Sequence, residues 1–400
     1  MRPTASSRIR GADGLRAFAS LAVVFHHLIQ RLNPEFQSEP FSAIHFIGMR
    51  GEVGVSIFFV LSGALLSYPF WLAHLKGTTR PSLRVYIASR AARIAPATWL
   101  NILVVSIVAT TIYGLPFDLQ RVSAGMLFVG SFHYSTFFPT ELNGPLWSIS
   151  FEVCCYMLLP IVLLSIMKKR RGFRNCVSLL LLWIFLLQIL NPLLIKVFMT
   201  SEFEKGWQFG LVGGAKAWIP YWNIDTFFTQ FLLGSLVALF LADRKSRLAS
   251  SSIKFDIGAL ISLTAAIVLV LTRVTPGAPD SFTNQPYAAP WFSMLIAIFL
   301  GCSALSMYVW RFLDNRFAVF LATISFGVYL WHYFVISIFA NSYFKDFQYF
   351  GVGSILRWAF ISSLVITIAI SIATLSWYFF EKPIIKQVKL IRNKQKAAND

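Results

Sequence analysis

The chain has 400 residues, of which 56% are hydrophobic and only 13% charged, with a mean hydropathy of +0.65. A soluble domain carries roughly 25% charged residues, so composition excludes an ordinary soluble enzyme and implies a polytopic membrane protein. The formal net charge of +18 would suggest nucleic acid in a soluble chain. In a membrane protein the placement of charge matters more than its sum, and no nucleic-acid partner is expected.

A helix needs about 20 residues to cross about 30 Å of hydrocarbon. Apolar segments of that order occur at about 15–32, 53–73, 95–113, 146–167, 175–198, 218–241, 255–272, 290–309, 317–340 and 355–379. The first follows Arg2, Arg8 and Arg10 as a signal peptide would, but "QRLNPEF" beyond it has no small-x-small cleavage pattern, so it reads as a retained helix. Between the third and fourth spans, Val122 to Phe138 is apolar, yet a crossing there would spoil the charge alternation. It reads as an outer re-entrant or interfacial element. Placing the N-terminus in the cytoplasm puts most of the 35 Lys and Arg on that side. The positive-inside rule then locates both termini there.

The expected fold class is therefore all-α: a polytopic transmembrane helical bundle of about ten spans, multi-pass in the cytoplasmic (inner) membrane. Residues 1–383 form the membrane domain, and 384–400 form a basic tail suited to anionic lipid rather than nucleic acid. Cys154, Cys155, Cys176 and Cys302 lie in or beside apolar runs without metal-ligand spacing, so neither a disulfide framework nor a metal site is expected.

Ionisable groups inside a span are costly and usually face the protein interior. In the first span Asp13, Arg16, Ser20 and His27 recur at helical spacing and share one stripe, whereas His26 is turned about 100° away from His27. His27 lies about 16 Å beyond Arg16, and His332 about 23 Å from Phe317, with Ser325 on its face. Glu152 enters from the opposite side to a depth of about 10 Å. These depths lead to the expectation that His27, His332 and Glu152 converge on one site. At the inner face Arg90 and Arg93 are one helical turn apart, a fork suited to phosphate oxygens as well as to a plain membrane anchor. Gly51, Gly54 and Gly63 are small positions that let helices or a ligand approach the backbone.

Six words, "DGLRAFASLAVVFHH", "GVSIFFVLSGALL", "SRAARIAP", "LWSISFE", "SFGVYLWH" and "FEKP", occur in this order across residues 13 to 383. Together they resemble the acyltransferase family 3 integral membrane proteins along nearly the whole length. The resemblance implies transfer of an acyl group, most often acetyl, from acyl-CoA to a hydroxyl of an exported or cell-surface glycan or glycolipid. It implies a catalytic histidine at His27, with His26 as the adjacent alternative, and CoA contact by Arg90 and Arg93. Arg16 is grouped with these two on the donor side. Glu152, beside Trp147, Ser148 and Ser150, matches the acidic residue of the Trp-Ser-x-Ser motif, and His332 is a secondary catalytic candidate. An acidic residue common in the second motif is replaced here by Ser56, so no charged role is expected there.

On this reading acyl-CoA is a donor substrate, no cofactor is permanently bound, and the partners are the glycan acceptor and the bilayer. A homo-oligomer is compatible with the exposed apolar faces. Intramembrane ionisable residues also suit a transporter or flippase, although no inverted repeat supports one, and a non-catalytic sensor that keeps the fold is a further alternative. Acyl-CoA turnover separates catalysis from both.

Overall fold

The computed structural model describes residues 9–199, 211–246 and 251–397. Arg2, Arg8, Arg247 and the last three residues of the basic tail lie outside the described residues. In chain order the helices are α1 (Ala12–Ile29), α2 (Phe41–Gly48), α3 (Gly54–Lys76), α4 (Leu83–Thr111), α5 (Leu119–Met126), α6 (Trp147–Met167), α7 (Phe173–Phe198) and α8 (Leu211–Trp218). They continue with α9 (Ile224–Ser246), α10 (Ile253–Arg273), α11 (Trp291–Leu305), α12 (Val309–Leu313), α13 (Arg316–Ile338), α14 (Ile355–Leu375) and α15 (Lys382–Ala397). No strand is present among the described residues, so the fold is an all-α multi-pass membrane bundle.

Nine helices among the described residues are long and apolar enough to cross a membrane. The first predicted span, α1, is not one of the nine, because Asp13, Arg16, His26 and His27 interrupt its 18 residues. It is packed against α3 and α13, which gives its polar groups protein rather than lipid neighbours. The segment 122–138 is broken into α5 and short turns at Gly130–Phe132 and Tyr134–Thr136, too short to cross, as an interfacial element would be.

The spans divide by burial. The most apolar windows of α3, α9 and α13 are 78% buried, whereas those of α7, α10 and α14 are 17–28% buried and expose Phe185, Ile261 and Phe360. The first set is the core, and the second presents apolar faces to lipid. At the crossing of α3 and α9 a Cβ on Gly63 would sit 1.9 Å from the Phe231 carbonyl oxygen, and one on Gly234 would sit 2.0 Å from that of Val60. Only glycine permits this contact, so Gly63 serves helix packing. Gly51 and Gly54 do the same against the α1 backbone at Ala22 and Ala19.

Two polar ties set the register of α13, which carries His332. Ser20 Oγ of α1 donates to the Ser325 carbonyl (3.4 Å), and the Leu330 carbonyl accepts from Asn101 (3.0 Å) and Asn143 (2.8 Å). In apolar surroundings such bonds are costly to leave unmade, which fixes α13 against α1 and α4.

Candidate active site

The predicted residues gather around two cavities, with His332 buried between them. The first, of about 290 Å³, gathers Arg16 from α1, Ser62 from α3, Arg90 and Arg93 from α4, and Glu152 and Tyr156 from α6. Its remaining lining is mostly apolar and includes Phe58, Leu65 and Phe326. Because α4 places Arg90 and Arg93 one turn apart, both guanidiniums reach the same space, which we call the arginine cavity. Glu152 accepts hydrogen bonds from Ser62 Oγ (3.2 Å) and from the Tyr156 hydroxyl. Arg93 lies 3.6 Å from the Glu381 carboxylate of "FEKP" and over the Trp377 ring just before it at 4.8 Å, and these two contacts hold it in place.

The second cavity, of about 770 Å³, is lined by His26, His27, Gln30 and Arg31 at the far end of α1, with aromatic walls from Trp147, Trp218, Tyr333 and Tyr349. In this histidine cavity the two imidazoles differ in kind. His26 Nδ1 donates to the Met49 carbonyl (2.7 Å), and its Nε2 accepts from Gln30 Nε2 (3.1 Å). Both nitrogens are engaged, and the ring is a structural bridge. His27 Nδ1 donates to the Val23 carbonyl (2.9 Å), while its Nε2 has no hydrogen-bond partner among the described residues. A carbonyl can only accept, so the proton of neutral His27 sits on Nδ1 and Nε2 presents a lone pair.

His332 stands at the wall, fully buried, with its ring 5.2 Å from that of His27 and 5.9 Å from that of Tyr329. Its Nδ1 donates to the Tyr329 carbonyl (2.8 Å), and its Nε2 is buried without a partner among the described residues. The wall is completed by the Tyr329 hydroxyl, which donates to the Pro145 carbonyl (2.7 Å) and lies 2.6 Å from Ser148 Oγ. Tyr329 and Ser148 line the arginine cavity, and Pro145 lines the histidine cavity.

The structure therefore brings Arg16, Arg90 and Arg93 together, and brings His27 and His332 together. It corrects the expectation that Glu152 joins the histidines: its carboxylate is bound to Ser62 and Tyr156 in the arginine cavity, and His27 is oriented by a backbone carbonyl instead. Depth along a helix sets a residue's height, whereas the rotation of α6 decides which cavity it faces. Ser56, the uncharged position of the second motif, makes a buried 2.9 Å hydrogen bond with Ser293.

Sequence reasoning missed Tyr156, Tyr329 and Arg31. Two of these had a signal: Tyr156 is four residues after Glu152 and Arg31 four after His27, a spacing that shares a helix face. Tyr329 had none, since a tyrosine in an apolar run looks like core.

A family model described as an acyltransferase domain matches residues 9–376. Among curated proteins the chain is 27% identical over 403 residues to "Putative peptidoglycan O-acetyltransferase YrhL" of Bacillus subtilis, covering 95% of this chain and 55% of that protein. It is 26% identical over 391 residues to O-acetyltransferase OatA of Staphylococcus aureus, covering 94% of this chain and 57% of that one. The chain thus spans little more than half the length of these relatives. No solved structure matches it.

Proposed function

The chain belongs to the acyltransferase 3 family, and from that premise we propose that it transfers an acyl group, most simply acetyl, from cytoplasmic acyl-CoA to a hydroxyl of an exported or cell-surface glycan. The relatives named as O-acetyltransferases, one of them of peptidoglycan, support both the acyl group and the kind of acceptor. In this reading residues 1–383 are the catalytic membrane domain, 384–400 a basic cytoplasmic tail, and both termini face the cytoplasm across the inner membrane.

The observation that carries the proposal is the pairing of two chemically different cavities through one wall. Three guanidiniums around the arginine cavity suit the phosphates of CoA. Its 290 Å³ is near the lower end of small-ligand cavities, room for part of the donor, with the nucleotide left outside. The histidine cavity offers a free imidazole nitrogen among aromatic and amide side chains, the surface a sugar needs.

In the reaction His27 Nε2 takes the proton of the acceptor hydroxyl as its oxygen attacks the thioester carbonyl. The tetrahedral intermediate collapses with C–S cleavage, the new C–O ester bond remains, and the imidazolium returns its proton to the departing CoA sulfur. For transfer the wall formed by Tyr329, Ser148, Pro145 and His332 must part to let the thioester reach His27. Glu152 acts on the donor side, holding Tyr156 and Ser62 among the three arginines.

The test is thiol release from acetyl-CoA by the detergent-purified chain, with and without glycan acceptors, beside His27→Ala. Acceptor-dependent release that disappears in the variant is expected. An intact thioester with every acceptor, from folded protein, would favour the transporter reading instead.

A further inference from the structure

Arg31 is the feature of the histidine cavity that acyl transfer to a plain sugar hydroxyl leaves unexplained. The residue is only 3% exposed, its Nε is buried without a hydrogen-bond partner, and no carboxylate lies within ion-pair distance of it among the described residues. Other arginines with a carboxylate near them are paired: Arg121 with Glu141, Arg273 with Asp280, Arg357 with Asp346. Glu141, which also lines the histidine cavity, is thereby already committed to Arg121.

The side chain is held in place. Its guanidinium carbon lies 4.2 Å from the Tyr349 ring centroid and 5.7 Å from that of Tyr333, and the two tyrosine hydroxyls are 2.8 Å apart. The backbone of residues 30–33 is stitched to 350–352 by Phe350 N to Gln30 O (2.9 Å), Val352 N to Arg31 O (3.0 Å) and Asn33 N to Val352 O (2.9 Å). A buried guanidinium without a counter-ion is costly, and aromatic faces compensate only in part. A fixed cation four positions beyond His27, just past the end of α1 and unpaired among the described residues, is a site awaiting an anion.

We infer that Arg31 anchors a carboxylate of the acceptor, so that the histidine cavity takes an acidic, uronate-type sugar in preference to a neutral one. This rests on the reading of that cavity as the acceptor site. A single guanidinium matches the single charge of a carboxylate, which its planar fork binds in bidentate fashion. The arginine cavity, with three guanidiniums, is the one matched to multiply charged phosphate. Tyr333, whose ring is 5.0 Å from His27, bridges the anchor and the base, so the hydroxyl acylated belongs to the acidic sugar or its immediate neighbour.

Binding tests the inference separately from catalysis. Trp147 and Trp218 line the cavity, so their fluorescence reports titration of the purified full-length chain with three probes. These are a uronic acid oligosaccharide, the same oligosaccharide with its carboxyls reduced to alcohols, and a phosphorylated neutral oligosaccharide. Wild type is expected to bind the uronate at least about tenfold more tightly than the reduced form. Arg31→Gln should abolish that preference, Arg31→Lys retain part of it, and His27→Ala keep it whole. Equal binding of uronate and reduced form, no binding of the uronate, preference for the phosphorylated probe, or a preference that survives Arg31→Gln would overturn it. Loss of acetyl transfer from acetyl-CoA with the uronate preference intact would instead count against the proposed reaction and leave the anchor standing.

Discussion

The two cavities lie on either side of Tyr329 and Ser148 and use arginine in opposite ways. In the arginine cavity three guanidiniums share their surroundings with Glu152 and Glu381, so charge is dense, mixed and mutually compensating. In the histidine cavity Arg31 stands against aromatic rings, and Glu141, which lines the same cavity, is paired with Arg121. The contrast teaches that one helix can serve two chemistries: α1 carries Arg16 into the first cavity and His27 into the second, about 16 Å apart by helical rise. What separates them is the hydrogen-bonded contact of Tyr329 and Ser148 with Pro145.

The largest effect expected from breaking this contrast lies at the imidazoles. His27→Ala should lower acyl transfer by about 10²–10⁴-fold with folding retained, the range for loss of a general base. His26→Ala removes a bridge between Met49 and Gln30 and should cost about 1–2 kcal/mol of stability while transfer stays within a few-fold. Parallel measurement of transfer rate and thermal midpoint decides between the two; equal loss of transfer in both would mean that His26 shares the chemistry.

On the donor side the two arginines of the Arg-x-x-Arg pair should part company. Arg90→Ala is expected to weaken CoA binding by roughly ten- to a hundredfold, the loss of a charge-assisted contact, with little change in stability. Arg93→Ala should weaken CoA as well and, by leaving the 3% exposed Glu381 without its cation, lower stability by about 3 kcal/mol. Restoring stability with Glu381→Gln in the Arg93→Ala background would identify the stranded carboxylate as the cause.

A smaller effect is expected at the wall. Tyr329→Phe loses the bonds to Pro145 and Ser148 but keeps the ring, so stability should fall by about 1 kcal/mol. CoA release without acceptor should rise a few-fold relative to transfer, because the wall is less firmly closed to water. An unchanged ratio would show that the hydroxyl plays no part in separating the cavities.

The smallest effect lies in the loop after α10. Burial alone would raise the Asp280 carboxyl, but hydrogen bonds from Phe282 N, Arg273 and Thr283 N outweigh it and hold it below the usual carboxylate range. A carboxyl lowered on folding contributes stability above its unfolded value and loses it as pH falls through the folded one. The destabilisation caused by Asp280→Asn should therefore be present at pH 7 and shrink below about pH 4, as thermal midpoints across that range would reveal.

Much of this molecule is legible in the chain itself. Charge is expelled from lipid, so apolar runs of about 20 residues announced the bundle, and the few polar positions within them announced which faces turn inward. The stripe of Arg16, Ser20 and His27 does face protein, through the Arg90 and Arg93 neighbourhood, the Ser325 carbonyl and the His332 ring respectively. The turn between Arg90 and Arg93 put both guanidiniums in one cavity because helical spacing is a local property, indifferent to the rest of the fold.

What only the tertiary structure decided is which groups meet. Glu152 shares a cavity with Arg16, Arg90 and Arg93 rather than with the histidines, since the placement of α6 depends on its packing against α3 and α9. The two adjacent imidazoles differ in their partners: Met49 and Gln30 engage both nitrogens of His26, whereas only Nδ1 of His27 is engaged among the described residues. Arg31 stands out because Glu141, the one carboxylate lining its cavity among the described residues, is paired with Arg121. Helix periodicity and the cost of charge in hydrocarbon act along the chain; the pairing of side chains acts between segments more than 300 residues apart, as from Ser20 to Ser325, and is set by packing alone.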